Sequence, residues 1–162
     1  MMTIRPAGRE DEDAIWRIFH AVVEPGDTYA FPADMTRQEA LAMWMAPTAH
    51  AYVAADGDDI VGTYLLKANQ PGRGSHVSNA AFMVAPSAQG RGVGKQLLDH
   101  AIGQAALARR RMPVVELRLS VAEPNGRARR LFTQFGFAFV DGEHGRYDGG
   151  QRALHMARPV KP

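Results

Sequence analysis

The sequence predicts one mixed α/β domain in which helices pack on a mixed β-sheet. Its 162 residues suit a single domain. Apolar residues recur at strand and helix spacings in the order β-α-α-β-β-β-α-β-α-β-β. Strands and helices alternate mainly in the second half of the chain, which favours helices packed on a mixed sheet. A hydrophobic fraction of 46% with 22% charged residues indicates a folded chain rather than a disordered one.

Composition excludes several classes of protein. The chain contains no cysteine, which excludes disulfides, zinc–thiolate sites, iron–sulfur clusters and a cysteine nucleophile. The net charge of +2 is too small to favour a nucleic-acid partner. The first residues lack the apolar core of a signal peptide, and no apolar run approaches the ~20 residues that span a bilayer. We therefore expect a cytoplasmic protein with no membrane and no nucleic-acid partner.

The first elements are a strand and two helices. A short strand over Thr3–Arg5 precedes an amphipathic helix over Glu10–Val23, whose apolar residues share one stripe. Thr36 is a favourable N-cap, and a glutamate three residues later completes the capping-box pattern. A second helix is therefore expected to begin there and to end before Pro47.

The middle of the chain predicts three strands. Ala51–Ala55 and Ile60–Lys67 flank a turn-forming Asp-Gly-Asp-Asp segment, which is typical of a β-hairpin. The next strand, Ser75–Ala85, ends where Pro86 stops it. The second half adds two helices and three strands, with a polar turn over Asp141–Gly150 before the last strand. In chain order they cover Gly92–Ala108, Val114–Ala122, Asn125–Phe135, Phe137–Val140 and Gln151–Arg158.

A glycine-rich loop between a strand and a helix carries the main chemical signal. Gly90, Gly92 and Gly94 lack side chains, so an anion can approach the backbone amides closely. The free amides and the positive dipole end of the following helix favour the same anion. Arg91 and Lys95 add positive charge. This pattern predicts a cradle for a phosphate or pyrophosphate, and the alternative is a glycine-rich turn that merely starts a helix.

Two other glycine-loop chemistries fit this segment poorly. A Walker loop requires a glycine where Gln89 stands and a hydroxyl residue where Gln96 follows the lysine. A dinucleotide fingerprint requires a third glycine where Lys95 stands, within a βαβ unit early in the chain. Neither pattern is satisfied.

Together with a second segment, the loop resembles a known family. Gln89–Gly94 (Q-x-x-G-x-G) is similar to the acyl-CoA-binding motif of the GNAT superfamily of N-acetyltransferases. Asn125–Phe137 (N-x-x-A-x-x-L-F-x-x-x-G-F) resembles the motif that follows it in that family. The two motifs occur in the family's order and at a similar separation. The resemblance extends from Ile4 to about Val140.

The resemblance implies the acyl-CoA N-acyltransferase fold, with a mixed, mostly antiparallel sheet and helices on both faces. Its central parallel strands, here Ser75–Ala85 and Val114–Ala122, splay apart to admit the pantetheine of acetyl-CoA. The backbone amide of Val84 would face the thioester oxygen. The cofactor-binding residues implied are Met83, Val84, Gln89, Gly90, Arg91, Gly92, Val93, Gly94, Lys95, Asn125, Arg129 and Phe132. A solvated helix face is the alternative for the arginines of the second motif.

The sequence departs from the family at two catalytic positions. Phe132 stands where the family often has a tyrosine that protonates the leaving thiolate. Ser120 or a water is an alternative donor, and a thiol of pKa ~8.5 is a fair leaving group without one. The glutamate often present on the strand before the loop is also missing, and His76 and Asn79 are the nearby polar groups. Both become candidate catalytic residues, against structural roles in the strand.

The segment around these residues is similar to a particular branch, the fungal azetidine-2-carboxylate (proline-analogue) acetyltransferases and their bacterial relatives. That resemblance implies that Asn79 binds or polarises the substrate. It also implies that Tyr29 and Phe31 line the acceptor pocket, with plain packing as the alternative.

The expected function is transfer of an acetyl group from acetyl-CoA to a small amine or amino acid. Direct attack in a ternary complex is expected, because the motifs supply no nucleophile with an adjacent base. The alternative is a catalytically weak CoA-binding or sensing module, and a nucleic-acid-binding function would rest on the arginine clusters alone. The family also suggests a homodimer. No metal is expected, because the histidines lack ligand spacing: His20, His50, His100, His144 and His155.

Overall fold

The computed structural model describes residues 1–25, 31–68, 77–108, 116–123, 125–146 and 152–161. Within these residues the chain forms seven strands and four helices, in the order predicted from the sequence. The strands are β1 (Met2–Pro6), β2 (Ala49–Asp56), β3 (Asp59–Ala68), β4 (Val77–Val84), β5 (Glu116–Ala122), β6 (Ala138–Arg146) and β7 (Arg152–Pro159). The helices are α1 (Glu12–Val23), α2 (Arg37–Trp44), α3 (Val93–Ala108) and α4 (Gly126–Gln134).

All seven strands form one sheet in the order β1-β2-β3-β4-β5-β7-β6. Neighbouring strands are antiparallel except for the central pair β4 and β5, which is parallel. The mixed, mostly antiparallel sheet predicted above is therefore confirmed. The last strand, β7, lies between β5 and β6, so the chain reaches the sheet edge first and then returns to the centre.

Helices cover both faces of the sheet, as expected. On one face, α3 and α4 bury an apolar layer that includes Leu97, Leu98 and Phe132. On the other, α1 and α2 bury a second layer around Phe19 and Trp44. Successive side chains of a strand point to opposite faces, so each strand contributes to both layers.

Local sequence signals explain where the helices begin. Thr36 accepts a hydrogen bond from the Glu39 amide at 3.2 Å, and the Glu39 carboxylate accepts one from the Thr36 amide at 2.8 Å. This is the predicted capping box. At the end of the same helix, the Trp44 indole is fully buried and donates to Thr63 Oγ1 at 3.0 Å. The tryptophan therefore contributes apolar area without leaving its N–H unpaired.

The pairing of the two central strands is short. The register joins Val77 to Glu116, Ser78 to Leu117 and Asn79 to Arg118, and the described residues form no β4–β5 pair beyond the third. Both strands nevertheless continue, to Val84 and to Ala122. The strands therefore separate after Asn79 and Arg118, as the resemblance implied, and leave a gap at their carboxyl ends.

Several element limits differ from the sequence prediction. The largest difference is at β6, which continues to Arg146 where a polar turn from Asp141 was expected. Pairing with β7 sustains this stretch, because Gly145 is in register with Ala153 despite an irregularity after Phe139. Long-range pairing here overrides a local turn composition. None of the described helices is both long enough and apolar enough to span a membrane.

A buried ion pair fixes the amino-terminal strand to the start of α1. Asp11 is 3% exposed and accepts two hydrogen bonds from the Arg5 guanidinium, at 2.7 and 2.8 Å, and one from the Gly8 amide at 2.8 Å. The Arg5 hydrogen bonds hold the pKa of the Asp11 carboxyl below its ordinary value of 3.8, against the opposing effect of burial. The pair therefore stabilises the fold whenever the carboxylate is ionised.

We predict that Asp11→Asn lowers the free energy of unfolding by ~2 kcal/mol at neutral pH, because two charge-assisted hydrogen bonds are weakened. The loss should shrink as the pH falls through the lowered pKa of Asp11, where the wild-type carboxylate is itself protonated. Urea unfolding at several pH values measures this. Asp13→Asn is the control, because Asp13 pairs with Arg37 but is 83% exposed, and its loss should cost at most ~0.5 kcal/mol. Equal effects of the two variants would contradict the prediction.

Candidate active site

A cleft of about 740 Å³ opens along the gap between β4 and β5. Its walls come from both strands, from the turn that joins β4 to α3, from the first turn of α3 and from one side of α4. The cleft therefore contains both sequence motifs. It lies at the carboxyl ends of the two parallel strands, which is where ligands bind in open α/β sheets.

The turn before α3 adopts a backbone conformation that requires glycine. Gly90 and Gly92 have φ values of +77° and +79°. A Cβ atom at either position would have no protein heavy atom within 4 Å, so the space beside both residues is open. The turn thus keeps its backbone accessible from the cleft. Gly94 differs, because its Cβ would meet Val84 at 3.7 Å in ordinary contact.

The amides of this turn have no protein acceptor among the described residues. The Gln96 amide donates to the Gly92 carbonyl at 3.1 Å, which is the first bond of the helix. The amides from Gly90 to Lys95 come before this first helical hydrogen bond. Within the described part of the chain they donate to no protein acceptor. A helix begins with such unpaired donors, and its dipole places partial positive charge beside them. The turn can therefore bind an anion.

Cationic side chains also line the cleft. They are Lys95 on α3 and Arg127 and Arg130 on α4. Two other arginines of the motifs make different contacts. Arg91 pairs with Asp56 in the β2–β3 turn at 2.5 Å. Arg129 donates to the Glu123 carbonyl at 2.7 Å, and its guanidinium lies 5.8 Å from the centre of the Phe139 ring.

The β4 backbone faces the gap at alternate residues. The Ala85 amide donates to the Val61 carbonyl at 2.9 Å, and the register joins Met83 to Thr63 and Val84 to Gly62. Antiparallel pairs alternate between bonded and non-bonded, so Met83 bonds to β3 whereas Val84 does not. The amide and carbonyl groups of Val84 therefore face the gap. Among the described residues they have no partner on β5, since the β4–β5 ladder has already ended.

Met83 is a predicted cofactor residue whose side chain points away from the cleft. Its side chain is 1% exposed and belongs to the layer beneath α1 and α2. A Cβ atom on Gly62 would lie 3.2 Å from the Met83 carbonyl, which fits a backbone directed toward β3. The sequence did not distinguish Met83 from Val84, because the register between β3 and β4 decides which of the two backbones faces the gap.

Aromatic rings form the apolar wall of the cleft. Phe82 lies 6.3 Å from Phe132 and 5.5 Å from Tyr64, measured between ring centres. Tyr64 is fully buried, and its hydroxyl lies 2.8 Å from Nδ1 of His100 on α3. Burial raises the pKa of the Tyr64 phenol and lowers that of the His100 imidazole below 6.5. Both groups are therefore neutral near pH 7, and their hydrogen bond secures the rings behind Phe82.

Asn125 sets the position of α4 along the cleft. Its side-chain oxygen accepts from the Ala128 amide at 3.2 Å, so it caps the helix. It also lines the cleft, as do Gln89 and Val93. On the same helix, Arg127 and Arg130 line the cleft, whereas Arg129 is directed to the Glu123 carbonyl.

Polar residues occupy the opposite face of the sheet where the strands separate. The register aligns Lys67, Asn79 and Arg118 on three adjacent strands. Asn79 shares its face of β4 with Met83, and Arg118 lies opposite in face to the buried Leu119, so both are on the side of α1 and α2. Arg118 forms an ion pair with Glu116.

The structure also brings together a pair that the sequence did not connect. Ser120 on β5 lines the cleft, and it is in register with His155 on β7. The Ser120 Oγ atom lies 3.4 Å from Nδ1 of His155. Ser120 lies outside both motifs, so the expectation that the motifs supply no nucleophile with an adjacent base is unchanged. Thirty-five residues separate the two, and only strand pairing joins them.

The remaining predicted residues are elsewhere. His76 and Tyr29 lie outside the described residues. Phe31 packs against Phe19 at 5.4 Å between ring centres and joins the layer beneath α1 and α2. Within the described ranges, no group of three or more histidine and carboxylate side chains is arranged to hold a metal ion.

Solved structures share this architecture over nearly the whole chain. A GCN5-related N-acetyltransferase from Kribbella flavida is 30% identical, with a TM-score of 0.87 and 98% of each chain covered. The structure of yncA from Salmonella typhimurium, described with its cofactor acetyl-CoA, is 20% identical with a TM-score of 0.84. It covers 100% of this chain and 95% of that one, and at this identity it supports the fold alone.

A curated relative and a family model match the sequence itself. The N-acetyltransferase aca1 of Schizosaccharomyces pombe is 29% identical over 93 residues, which are 48% of this chain and 44% of that protein. A fungal relative agrees with the branch that the β4 segment resembles. The model of the acetyltransferase (GNAT) family matches residues 13–137, and this range includes both motifs and both walls of the cleft. The chain belongs to the GNAT family of acetyltransferases.

Proposed function

We propose that this chain is an acetyl-CoA-dependent N-acetyltransferase that acetylates a small amine or amino acid by direct attack in a ternary complex. One observation carries the proposal. The cleft is lined by three cationic side chains and by turn amides that have no protein acceptor among the described residues, and it opens along the gap between β4 and β5 that the Val84 backbone faces. That distribution matches a ligand with a diphosphate at one end and an amide-containing arm at the other.

The residues of the cleft fit CoA. The amides from Gly90 to Lys95 would bind the diphosphate, and the open space beside Gly92 would admit its oxygens. Lys95, Arg127 and Arg130 would add charge-assisted contacts. The Val84 carbonyl would accept a hydrogen bond from an amide of the pantetheine arm, as a further strand pairs with a sheet edge.

CoA supplies an activated thioester when it is bound in acetylated form. The Val84 amide faces the gap and would donate to the thioester oxygen as negative charge develops there. We therefore keep the oxyanion contact at Val84, as the sequence predicts.

The acceptor amine would approach from the face of α1 and α2. Asn79 and Arg118 lie there, where the strands separate, and the Arg118–Glu116 ion pair adds charges of both signs. Such a surface suits a small polar acceptor. Phe31 packs in the same layer, which supports its predicted place near the acceptor. Location in the cytoplasm and a homodimer both stay predictions.

Thiol release from acetyl-CoA, followed over a panel of amino acids, proline analogues, polyamines and aminoglycosides, tests the function. Turnover with at least one amine, with the acetylated amine identified by mass spectrometry, is the expected result. The alternative is a CoA-binding or sensing module, favoured by the absence of a tyrosine at Phe132 and of the glutamate on β4. Tight CoA binding without turnover on any amine would support that alternative.

Gly92→Ala should weaken CoA binding by ~10-fold or more, because the left-handed backbone becomes strained and a methyl group enters the anion site. Isothermal calorimetry measures the affinity. Gly57→Ala is a matched control, since Gly57 also has a positive φ of +63° and open space around it but lies in the β2–β3 turn. Equal affinities of the two variants for CoA would contradict the proposed cradle.

Arg127→Gln and Arg130→Gln should each weaken CoA binding by ~3–10-fold, because each removes one exposed contact to a phosphate. The variants should also bind with a weaker dependence on ionic strength. Titrations at low and high salt measure both effects. Arg37→Gln is the control, since Arg37 pairs with Asp13 beside α1, away from the cleft. Wild-type affinity in both cleft variants would exclude these contacts.

Asn79→Ala should reduce kcat by ~10-fold or more with little change in the Kd for CoA, because Asn79 faces the acceptor side. Steady-state kinetics and calorimetry measure the two quantities. Ser78→Ala on the same strand is the control, since its side chain points to the opposite face. Unchanged turnover in Asn79→Ala would assign that residue a structural role.

A further inference from the structure

Ser120 and His155 meet at the point where the two central strands separate. Ser120 is two residues beyond Arg118, the last β5 residue in register with β4. It is one of the residues that line the cleft, and its side chain shares the face of β5 with Arg118, on the side of α1 and α2. Its Oγ atom lies 3.4 Å from Nδ1 of His155. This distance is long for a hydrogen bond, as catalytic hydrogen bonds often are before substrate binds.

Among the described residues that line the cleft, only Ser120 carries a hydroxyl group. Phe132 lies on the α4 side of the same cleft and has no proton to give. The two tyrosines within the described ranges are engaged elsewhere, since Tyr64 contacts His100 and Tyr52 donates to Gln104 at 3.2 Å.

We propose that the Ser120 hydroxyl protonates the sulfur that leaves in acetyl transfer, and that His155 positions this hydroxyl and restores its proton. The inference rests on the proposed function. Ser120 would then be a catalytic residue, and His155 a positioning residue that acts through it. The pair takes the place of a proton donor on α4.

The proton balance closes without another reactant. The acceptor nitrogen forms a bond to the carbonyl carbon and loses one proton, while the C–S bond breaks and its electron pair stays on sulfur. The Ser120 Oγ–H gives its proton to sulfur, and Oγ takes one from the imidazole of His155. The imidazole is recharged by the proton that the nitrogen releases. One proton thus moves from nitrogen to sulfur.

A serine beside a histidine can also act as a nucleophile, which would form an acyl-enzyme. That chemistry requires the base to be oriented by a third group. Within the described part of the chain, the second ring nitrogen of His155 has no hydrogen-bond partner. The pair is therefore better suited to proton transfer than to nucleophilic attack.

Four variants test the proposal on the full chain: Ser120→Ala, Ser120→Thr, His155→Gln and the control Thr133→Ala. Thr133 carries an exposed hydroxyl that bonds to its own helix at the Arg129 carbonyl. Ser120→Ala should lower kcat by ~10–100-fold with little change in KM for either substrate. Ser120→Thr should retain most activity because it keeps the hydroxyl, and His155→Gln should lower kcat because it cannot pass a proton on.

The leaving group gives a sharper kinetic test. A selenol is a stronger acid than a thiol, so its anion leaves without protonation. With the selenium analogue of acetyl-CoA, Ser120→Ala should lose most of its defect relative to the wild type. An equal defect with both donors would overturn the proton-transfer role, because a purely structural defect does not depend on the leaving atom.

Binding and mass measurements provide readouts that do not depend on turnover. The wild type should bind CoA more tightly than desulfo-CoA, which lacks the sulfur, and Ser120→Ala should abolish this difference in calorimetry. Incubation with acetyl-CoA without an acceptor should leave the protein mass unchanged, and an acetyl group on Ser120 would overturn the proposal in favour of an acyl-enzyme. If the wild type binds CoA but acetylates no amine, the proposed function fails. If it acetylates an amine and Ser120→Ala matches it, only the Ser120 assignment fails.

Discussion

The early end of the β4–β5 ladder is the constraint on which the rest of the structure depends. Among the described residues, β4 and β5 form no pair beyond Asn79 and Arg118, so the Val84 backbone faces the gap without a partner on β5. Unpaired backbone groups away from water are costly. The gap therefore has to admit solvent or a ligand. The early end of the β4–β5 hydrogen bonding is therefore what opens the cleft.

The face of α4 on which each arginine lies decides which positive charges border this gap. α4 carries three arginines within four positions, yet only Arg127 and Arg130 line the cleft. Three residues is close to one helical turn, so those two share a face. Arg129 is directed to the other side, where it contacts the Glu123 carbonyl and the Phe139 ring. Ala128, Leu131 and Phe132 pack on the core, and this packing fixes which face of α4 turns to the cleft.

The sheet separates two surfaces that the gap connects. On the side of α3 and α4 lie the glycine turn and the aromatic wall, which suit a long anionic carrier. On the side of α1 and α2 lie Asn79 and Arg118, which suit a small polar acceptor. In a direct transfer both substrates have to meet at one position, and here each would reach the gap from its own face of the sheet. The residues at that point, Ser120 and His155 among them, come from strands that are distant in sequence.

The sequence by itself determined the order of the elements, the capping box at Thr36, the glycine-rich turn and the family, because these depend on periodicity, on short motifs and on short-range backbone hydrogen bonds. It could not determine the length of β6, the direction of Met83 away from the cleft or the meeting of Ser120 with His155. These features depend on strand register and on pairing between distant segments. A change of register by one residue moves every side chain of a strand to the other face of the sheet. The orientation of α4 on the sheet likewise places Arg130 in the cleft and Arg129 outside it. Tertiary structure decided which residues of a recognisable motif reach the cleft.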